Sequence, residues 1–305
     1  MTAVAPAHAG SGLAQVVSEC VASAVVLVTG SSGVVGAAVA REIHAAGWQV
    51  RGWDVRPGPW TTHLGDLRDS QLRTQAVQDV ETVVHTAALH APHVGHVSDD
   101  EFRAVNVDAT AALLEQVAEC GVRRVVYTSS TSVYGHALVP DDRAVWVDES
   151  LEPQPRDIYD ETKLDAEALL TKGDHPSTTI VLRIARCFPE TPAIQAAHRL
   201  YRGVDVRDVA RAHRLAAEHS QVTGVFNIAG PMLFRRNDTR ELWRDAPPLL
   251  ERRTPEIVTL FRRQGWPLPP TIDRVYDSGK AHRQLGYSAA YDATALATEH
   301  PSGPW

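Results

Sequence analysis

Tyr159 and Lys163 stand four positions apart in the run Tyr159-Asp160-Glu161-Thr162-Lys163. On a helix that spacing brings phenol and amine to one face. A phenol is a poor base at its ordinary pKa of about 10, but a neighbouring cation stabilises the phenolate and moves it toward working pH. The pair could then take a proton from an alcohol and return it. Alone, the spacing occurs by chance on many exposed helices. Its weight comes from the segment upstream, Tyr127-Thr128-Ser129-Ser130-Thr131-Ser132-Val133-Tyr134-Gly135. A hydroxyl emerging at the C-terminal edge of a strand there can orient a substrate alcohol toward Tyr159.

A second group of residues could hold phosphates. The apolar run Ala24–Thr29 leads into Thr29-Gly30-Ser31-Ser32-Gly33-Val34-Val35-Gly36. Glycines let the backbone turn sharply against a pyrophosphate, and a helix starting there offers free N–H groups and its positive dipole end. The trio counts because it lies between a strand pattern and a helix pattern. Asp54 closes the following strand. A carboxylate there accepts from ribose hydroxyls and repels a 2′-phosphate, which favours NAD, although Arg51 and Arg56 nearby leave room for NADP. Asp66, in Gly65-Asp66-Leu67, could reach an adenine amine or be an ordinary turn aspartate.

The elements that must position these groups alternate. Ala24–Thr29, Trp48–Val55, Thr82–His85, Arg124–Thr128, Ile180–Ile184 and Gly224–Ile228 read as strands. Val34–Ala46, Glu101–Cys120, Ile158–Thr171 and Val206–His219 read as helices. The pattern predicts an α/β chain with a Rossmann-type, doubly wound parallel sheet and a small C-terminal substrate lobe, to which the Arg- and Pro-rich stretch Pro231–Asp273 contributes. The expected division is a poorly ordered extension over 1–23, a dinucleotide-binding domain over 24–185, and a substrate lobe over most of 186–305, with 206–230 returning to the first domain.

A formal charge of −7 argues against a nucleic-acid-binding surface. No apolar run reaches the roughly 20 residues needed to cross a bilayer, so no membrane partner is expected. The first 23 residues hold no Lys or Arg, so the charged start of a secretory signal is missing. The three cysteines, Cys20, Cys120 and Cys187, are far apart and fit a cytoplasmic setting. His85, His90, His93 and His96 crowd one strand and its loop. No carboxylate stands there at ligand spacing, and no metal is expected.

Taken in order, these segments resemble the NAD-dependent epimerase/dehydratase family, the extended branch of the short-chain dehydrogenases. The likeness runs from residue 24 to about 290. It is carried by TGSSGVVG, Asp54, GDL at 65–67, HTAA at 85–88, NVDAT at 106–110, YTSSTSVYG, YDETK, VRDVA at 206–210, GVFNIAG at 224–230 and RVYDSGKAHRQLGY at 274–287. The resemblance implies Tyr159 as catalytic acid/base, Lys163 as its pKa partner and ribose anchor, and Ser130 as the catalytic hydroxyl. It implies NAD as cofactor, with contacts expected from Gly30, Ser32, Gly33, Val34, Val35, Gly36, Asp54, Asp66, Leu67, Ala87, Ala88, Asn106, Thr128, Tyr159, Lys163 and Ile184. Substrate contacts are expected from His90, Ser130, Thr131, Arg186 and Arg199. A homodimer through the helices near 101–120 and 158–171 is also implied.

The sequence departs from family patterns at informative places. Dehydratases resembling this chain carry an acidic pair where Thr131 and Ser132 stand, and decarboxylating relatives carry Glu at the Ser132 position, so both reactions are disfavoured. Arg186 occupies the place of an Asn in nucleotide-sugar relatives. The run Arg183-Ile184-Ala185-Arg186-Cys187-Phe188-Pro189-Glu190 instead resembles compact uronate dehydrogenases, although their serine strand differs from SSTSVYG. Arg186, Arg199 and Arg202 could grip a carboxylate or phosphate, or could be solvated charges. The serine strand favours a sugar epimerase, with a nucleotide-linked substrate. The alternatives are a sugar or uronate dehydrogenase and a non-catalytic NAD-binding regulatory module.

Overall fold

The computed structural model describes residues 24–173 and 176–299; the extension read over 1–23 lies outside the described residues. Val25–Thr29 (β1) is short, β-branched and almost wholly buried, as a central parallel strand must be. It is followed by helix Val34–Ala45 (α1), Gln49–Asp54 (β2), Thr61–Leu64 (β3), Ser70–Val77 (α2) and Thr82–His85 (β4). Helices Asp99–Arg103 (α3) and Ala109–Glu119 (α4) lead to Arg124–Ser130 (β5). Then come Val145–Val147 (β6), Ile158–Lys172 (α5), Thr178–Ile184 (β7), Pro192–Arg199 (α6), Val206–Glu218 (α7) and Gly224–Ile228 (β8). Seven strands form one parallel sheet in the order β3-β2-β1-β4-β5-β7-β8.

The strand order reverses between β1 and β4, so the connections after these two strands diverge and leave a crevice at their C-terminal ends. Val39, Ala40 and Ile43 of α1 and Ala210, Ala212 and Ala216 of α7 cover one face of the sheet. Ala76 and Val77 of α2, Leu113 and Val117 of α4, and Ala166 and Leu170 of α5 cover the other.

The helix expected over 101–120 is not uniform. A widened π-helical turn at Ala104–Asp108 separates α3 from α4 and turns Asn106 inward, where it is 1% exposed. Such insertions cost helix hydrogen bonds and recur where a side chain must be re-aimed.

The remaining helices Thr239–Arg244 (α8), Ala246–Arg253 (α9) and Pro255–Gln264 (α10) pack with α6 and with Ala293–Glu299 (α12) around Leu242, Leu250, Phe261 and Leu296. Two short segments cross the division expected at 185/186. β6 leaves the first domain to pair with Arg274–Tyr276 (β9), and Gly279–Leu285 (α11) returns to the large sheet through Ala281 and Leu285.

Two histidines are sealed in this frame. His213 Nδ1 donates to the Val209 carbonyl (2.8 Å) and its Nε2 accepts from Thr128 Oγ1 (2.7 Å). His85 bridges Thr29 Oγ1 (2.7 Å) and Thr110 Oγ1 (3.0 Å). Burial pushes His85 down to about 3 and His213 down to about 4. Both stay neutral when folded and gain a proton when unfolded, so stability falls as pH drops below about 6.5 and continues to fall toward 4. Each contributes at most about 1.4 kcal/mol per pH unit in that window. Thermal melts from pH 7 to 4 should show this slope, and His213→Gln should flatten it by roughly one histidine's share.

Candidate active site

The turn after β1 is built for close approach. Gly30 has φ +71°, and a Cβ there would lie 2.7–2.9 Å from Thr86 Oγ1 and the Ala87 backbone. At Gly36 a Cβ would fall 2.0 Å from the Gly30 carbonyl oxygen. Helix α1 starts at N-cap Gly33 without a side-chain cap, so the N–H groups of Val34, Val35 and Gly36 have no intrahelical partner and point into the crevice mouth. Val34 is 60% exposed there, an apolar side chain at the edge of a cradle. Uncapped donors at a helix start are the arrangement that suits an anion.

Asp54 is 9% exposed at the end of β2. It accepts from the amides of Ser32 (2.9 Å) and Arg56 (2.8 Å), which bonds the strand end to the glycine turn. A carboxylate has about four acceptor positions, so capacity remains for ribose hydroxyls, and its charge opposes a 2′-phosphate. Ser32 Oγ donates to the Arg56 carbonyl (2.8 Å), so this serine braces the turn. Asp66 stands in the turn after β3 with its carboxyl partly exposed. Arg68 binds both its oxygens, at 2.9 and 2.7 Å, and this pairing holds its carboxyl below the usual range. Its neighbour Leu67 is buried in the core under α2 and α4.

The proton-handling residues come from β5 and α5. Asp157 caps α5 by accepting from Asp160 N (3.0 Å), which fixes where Tyr159 begins its turn. Tyr159 is 9% exposed and packed with Phe102 and Ile158, and the Ser130 hydroxyl lies on the side of its phenol, where it favours the ionised form. Ser130 ends β5, in register with Ile184 at the end of β7. Thr131, next in line, is 4% exposed. The structure therefore brings Ser130 and Tyr159 together at the C-terminal edge of the sheet.

Lys163 is placed otherwise than the simple ion-pair picture. Its Nζ donates to the Thr128 carbonyl (2.8 Å) and the Tyr127 hydroxyl (3.1 Å), and it lies 4.6 Å from the centre of the Tyr127 ring. Burial lowers the amine to about 7 and raises the Tyr159 phenol to about 12, the latter opposed by the Ser130 bond. Burial is the largest influence on the phenol and works against its ionisation, while the amine is directed to Thr128 and Tyr127. A buried cation beside the phenol is required to reverse it. Tyr127, which holds Lys163, was not among the residues expected at the site. It lay in the quoted serine strand, but nothing local showed which way its hydroxyl points.

Asn106 is a clamp. Its amide accepts from Leu89 N (2.8 Å) and donates to the Leu89 carbonyl (2.9 Å) and Thr162 Oγ1 (3.1 Å), tying the loop after β4 to the residue beside Lys163. That loop starts with Ala87 and Ala88, small side chains that leave the crevice open where β4 ends; Ala87 N donates to Thr29 Oγ1 (3.3 Å). His90 is exposed, edge-on to His93 with ring centres 4.5 Å apart. Among the described residues no three His, Cys, Asp or Glu side chains gather as a metal site.

Beyond Ile184 opens a cavity of about 340 Å³, reaching from Val34 to α6 and α12. Arg186 borders it, bound to Glu190 at 2.6 and 3.2 Å, while His198 Nδ1 lies 3.0 Å from the same carboxylate. Arg199 is neither a solvated charge nor a free anion receptor. It is 7% exposed, with its guanidinium on Asp205 (2.5 Å) and the Asp292 carbonyl (3.0 Å). Burial selected that pairing, since an unpaired guanidinium there would be costly.

A parallel doubly wound sheet with a glycine turn, a ribose-facing acid and a Ser/Tyr/Lys group at one edge defines a dinucleotide-binding protein of the short-chain dehydrogenase class. The chain belongs to the NAD dependent epimerase/dehydratase family, whose model matches residues 26–193. NAD is the family's cofactor, and the glycine turn and Asp54 fit it. The 3-beta-hydroxysteroid dehydrogenase of Mycolicibacterium neoaurum is 36% identical over 154 residues, covering 47% of this chain and 41% of that protein. The chain thus spans less than half the length of this curated relative. A short-chain dehydrogenase/reductase superfamily protein from Agrobacterium tumefaciens, solved with bound NAD, has a TM-score of 0.69 at 22% identity, covering 90% of this chain and 95% of that one. MoeE5, solved with UDP-glucuronic acid and NAD, has a TM-score of 0.65 at 25% identity, covering 90% and 97%. No helix among the described residues is long and apolar enough to cross a membrane.

Proposed function

We propose that this protein exchanges hydride at a secondary alcohol of a sugar-type substrate, with Tyr159 as acid/base, Ser130 as hydrogen-bonding partner of the reacting oxygen, and Lys163 as the cation beneath them. The carrying observation is the convergence of Ser130 at the end of β5, the buried Tyr159 in the first turn of α5, and Lys163 held on the Thr128 carbonyl. NAD supplies the hydride acceptor. Tyr159 takes the alcohol proton as the carbonyl forms and returns it in the reverse direction, while Ser130 orients the oxygen. Asn106 keeps the loop after β4 and the start of α5 in register, and the packing of Phe102 and Ile158 keeps water from the phenol.

The cavity supports a polyhydroxylated substrate over a steroid. Arg186, Glu190, Gln195, His198, Asp205 and Arg207 face it, and an apolar ring system buried there would strip water from these charged groups without offering them any hydrogen bond. Two modes of turnover share this site. The SSTSVYG strand supports an epimerase, and the structural likeness to MoeE5, solved with UDP-glucuronic acid and NAD, supports a nucleotide-linked sugar. The pairing of Arg186 with Glu190 favours a dehydrogenase on a sugar without the nucleotide, because a diphosphate would have to displace that carboxylate.

Purified protein should be offered UDP-glucose, UDP-N-acetylglucosamine, free aldoses, free uronates and a 3β-hydroxysteroid, following NADH formation and product stereochemistry. NADH accumulation with a free sugar or uronate supports the dehydrogenase mode, and inverted sugar without net NADH supports the epimerase. Turnover of the steroid alone overturns the sugar-type reading.

A further inference from the structure

Asp160 follows Tyr159 directly and has no part in the chemistry above, yet its side chain is wholly buried. Ser132 Oγ donates to one carboxylate oxygen. The other accepts from Arg156 N (3.2 Å) and Nε (3.4 Å). Ser132 belongs to the turn after β5, and Arg156 precedes α5, so one carboxylate joins the segment carrying Ser130 to the segment carrying Tyr159. Ser132 then acts on Ser130 itself, since its amide donates to Ser130 Oγ (3.0 Å). With an amide occupying that lone pair, the Ser130 hydrogen is turned away from Ser132 and is free to serve the Tyr159 side of the hydroxyl.

We propose that Asp160 is a positioning residue which, by holding Ser132 against the start of α5, sets the direction of the Ser130 hydroxyl and so the stabilisation of the Tyr159 phenolate. Two influences oppose each other at the phenol. Donation from Ser130 favours the ionised form, and the negative charges of Asp160 and Asp157 oppose it. Lys163, one turn along α5, and the Tyr127 hydroxyl complete the ionisable surroundings.

The proposal rests on the roles assigned above to Ser130 and Tyr159, so its test reads titration rather than turnover. The full chain, saturated with NAD, is labelled with 3-fluorotyrosine. The fluorine resonance of residue 159 is assigned by its loss in Tyr159→Phe. Ser132→Ala removes one oxygen and should raise the Tyr159 midpoint by about one pH unit, the scale of one hydrogen bond to a charged group. Ser130→Ala should raise it similarly, and the double variant should add little to either. Asp160→Asn keeps an acceptor for Ser132 while removing charge, and should lower the midpoint. A shift with Ser130→Ala but none with Ser132→Ala, or additive shifts in the double variant, overturns the positioning role. An unmoved midpoint in Ser130→Ala overturns it together with the Ser130–Tyr159 assignment beneath it.

Discussion

Tyr159→Phe is expected to lower the rate of hydride transfer by roughly a hundred- to ten-thousand-fold while leaving the NAD dissociation constant within about threefold of the unaltered protein. The reasoning is geometric. The ring of Tyr159 packs with Phe102 and Ile158, and a phenyl ring fills the same space. Only the phenolic oxygen is lost, so the fold and the glycine turn remain while the proton has no acceptor. The electrostatics point the same way. Burial holds the phenol up to about 12 in the protein alone and lowers Lys163 to about 7. Each group becomes easier to ionise when the other is ionised, so alcohol oxidation should accelerate as pH rises toward the phenol's value in the loaded protein. Single-turnover measurements of NADH formation, on whichever compound of the panel above is turned over, check both statements. Unchanged turnover in Tyr159→Phe would move the acid/base to another residue.

Gly36→Ala is expected to weaken NAD binding about a hundredfold, or about 3 kcal/mol. The added Cβ would sit 2.0 Å from the Gly30 carbonyl oxygen, and neither backbone can yield without opening the turn. Opening it displaces the free N–H groups at the start of α1 that would face a pyrophosphate. A general loss of stability is separated by Gly121→Ala. Gly121 also has positive φ (+67°), but nothing lies within 4 Å of the added Cβ, and it ends α4 far along the chain from the turn. That control should cost about 1 kcal/mol in unfolding and leave NAD affinity unchanged. Calorimetric titration with NAD, alongside thermal melts, reads both. Equal loss of affinity in the two variants would mean that the turn has no special part in binding.

What the amino-acid order determined by itself is what short-range sterics determine. β-branched runs such as Val25–Thr29 cannot avoid a buried strand, glycine at positions 30, 33 and 36 permits a turn denied to other residues, and Asp157 starts a helix on which residues 159 and 163 share a face. These follow from φ/ψ limits and a 3.6-residue period acting over a few neighbours, so the parallel sheet and the Ser130–Tyr159 edge were legible in advance. The tertiary structure alone decided which polar atoms meet across long separations. Lys163 could have bound the phenol but lies on Tyr127 and the Thr128 carbonyl. Arg199 took Asp205, Asp66 took Arg68, and β6 paired with a strand more than a hundred residues away. Such choices minimise the cost of burying charge and backbone polar groups in one particular packing, and no local pattern encodes them.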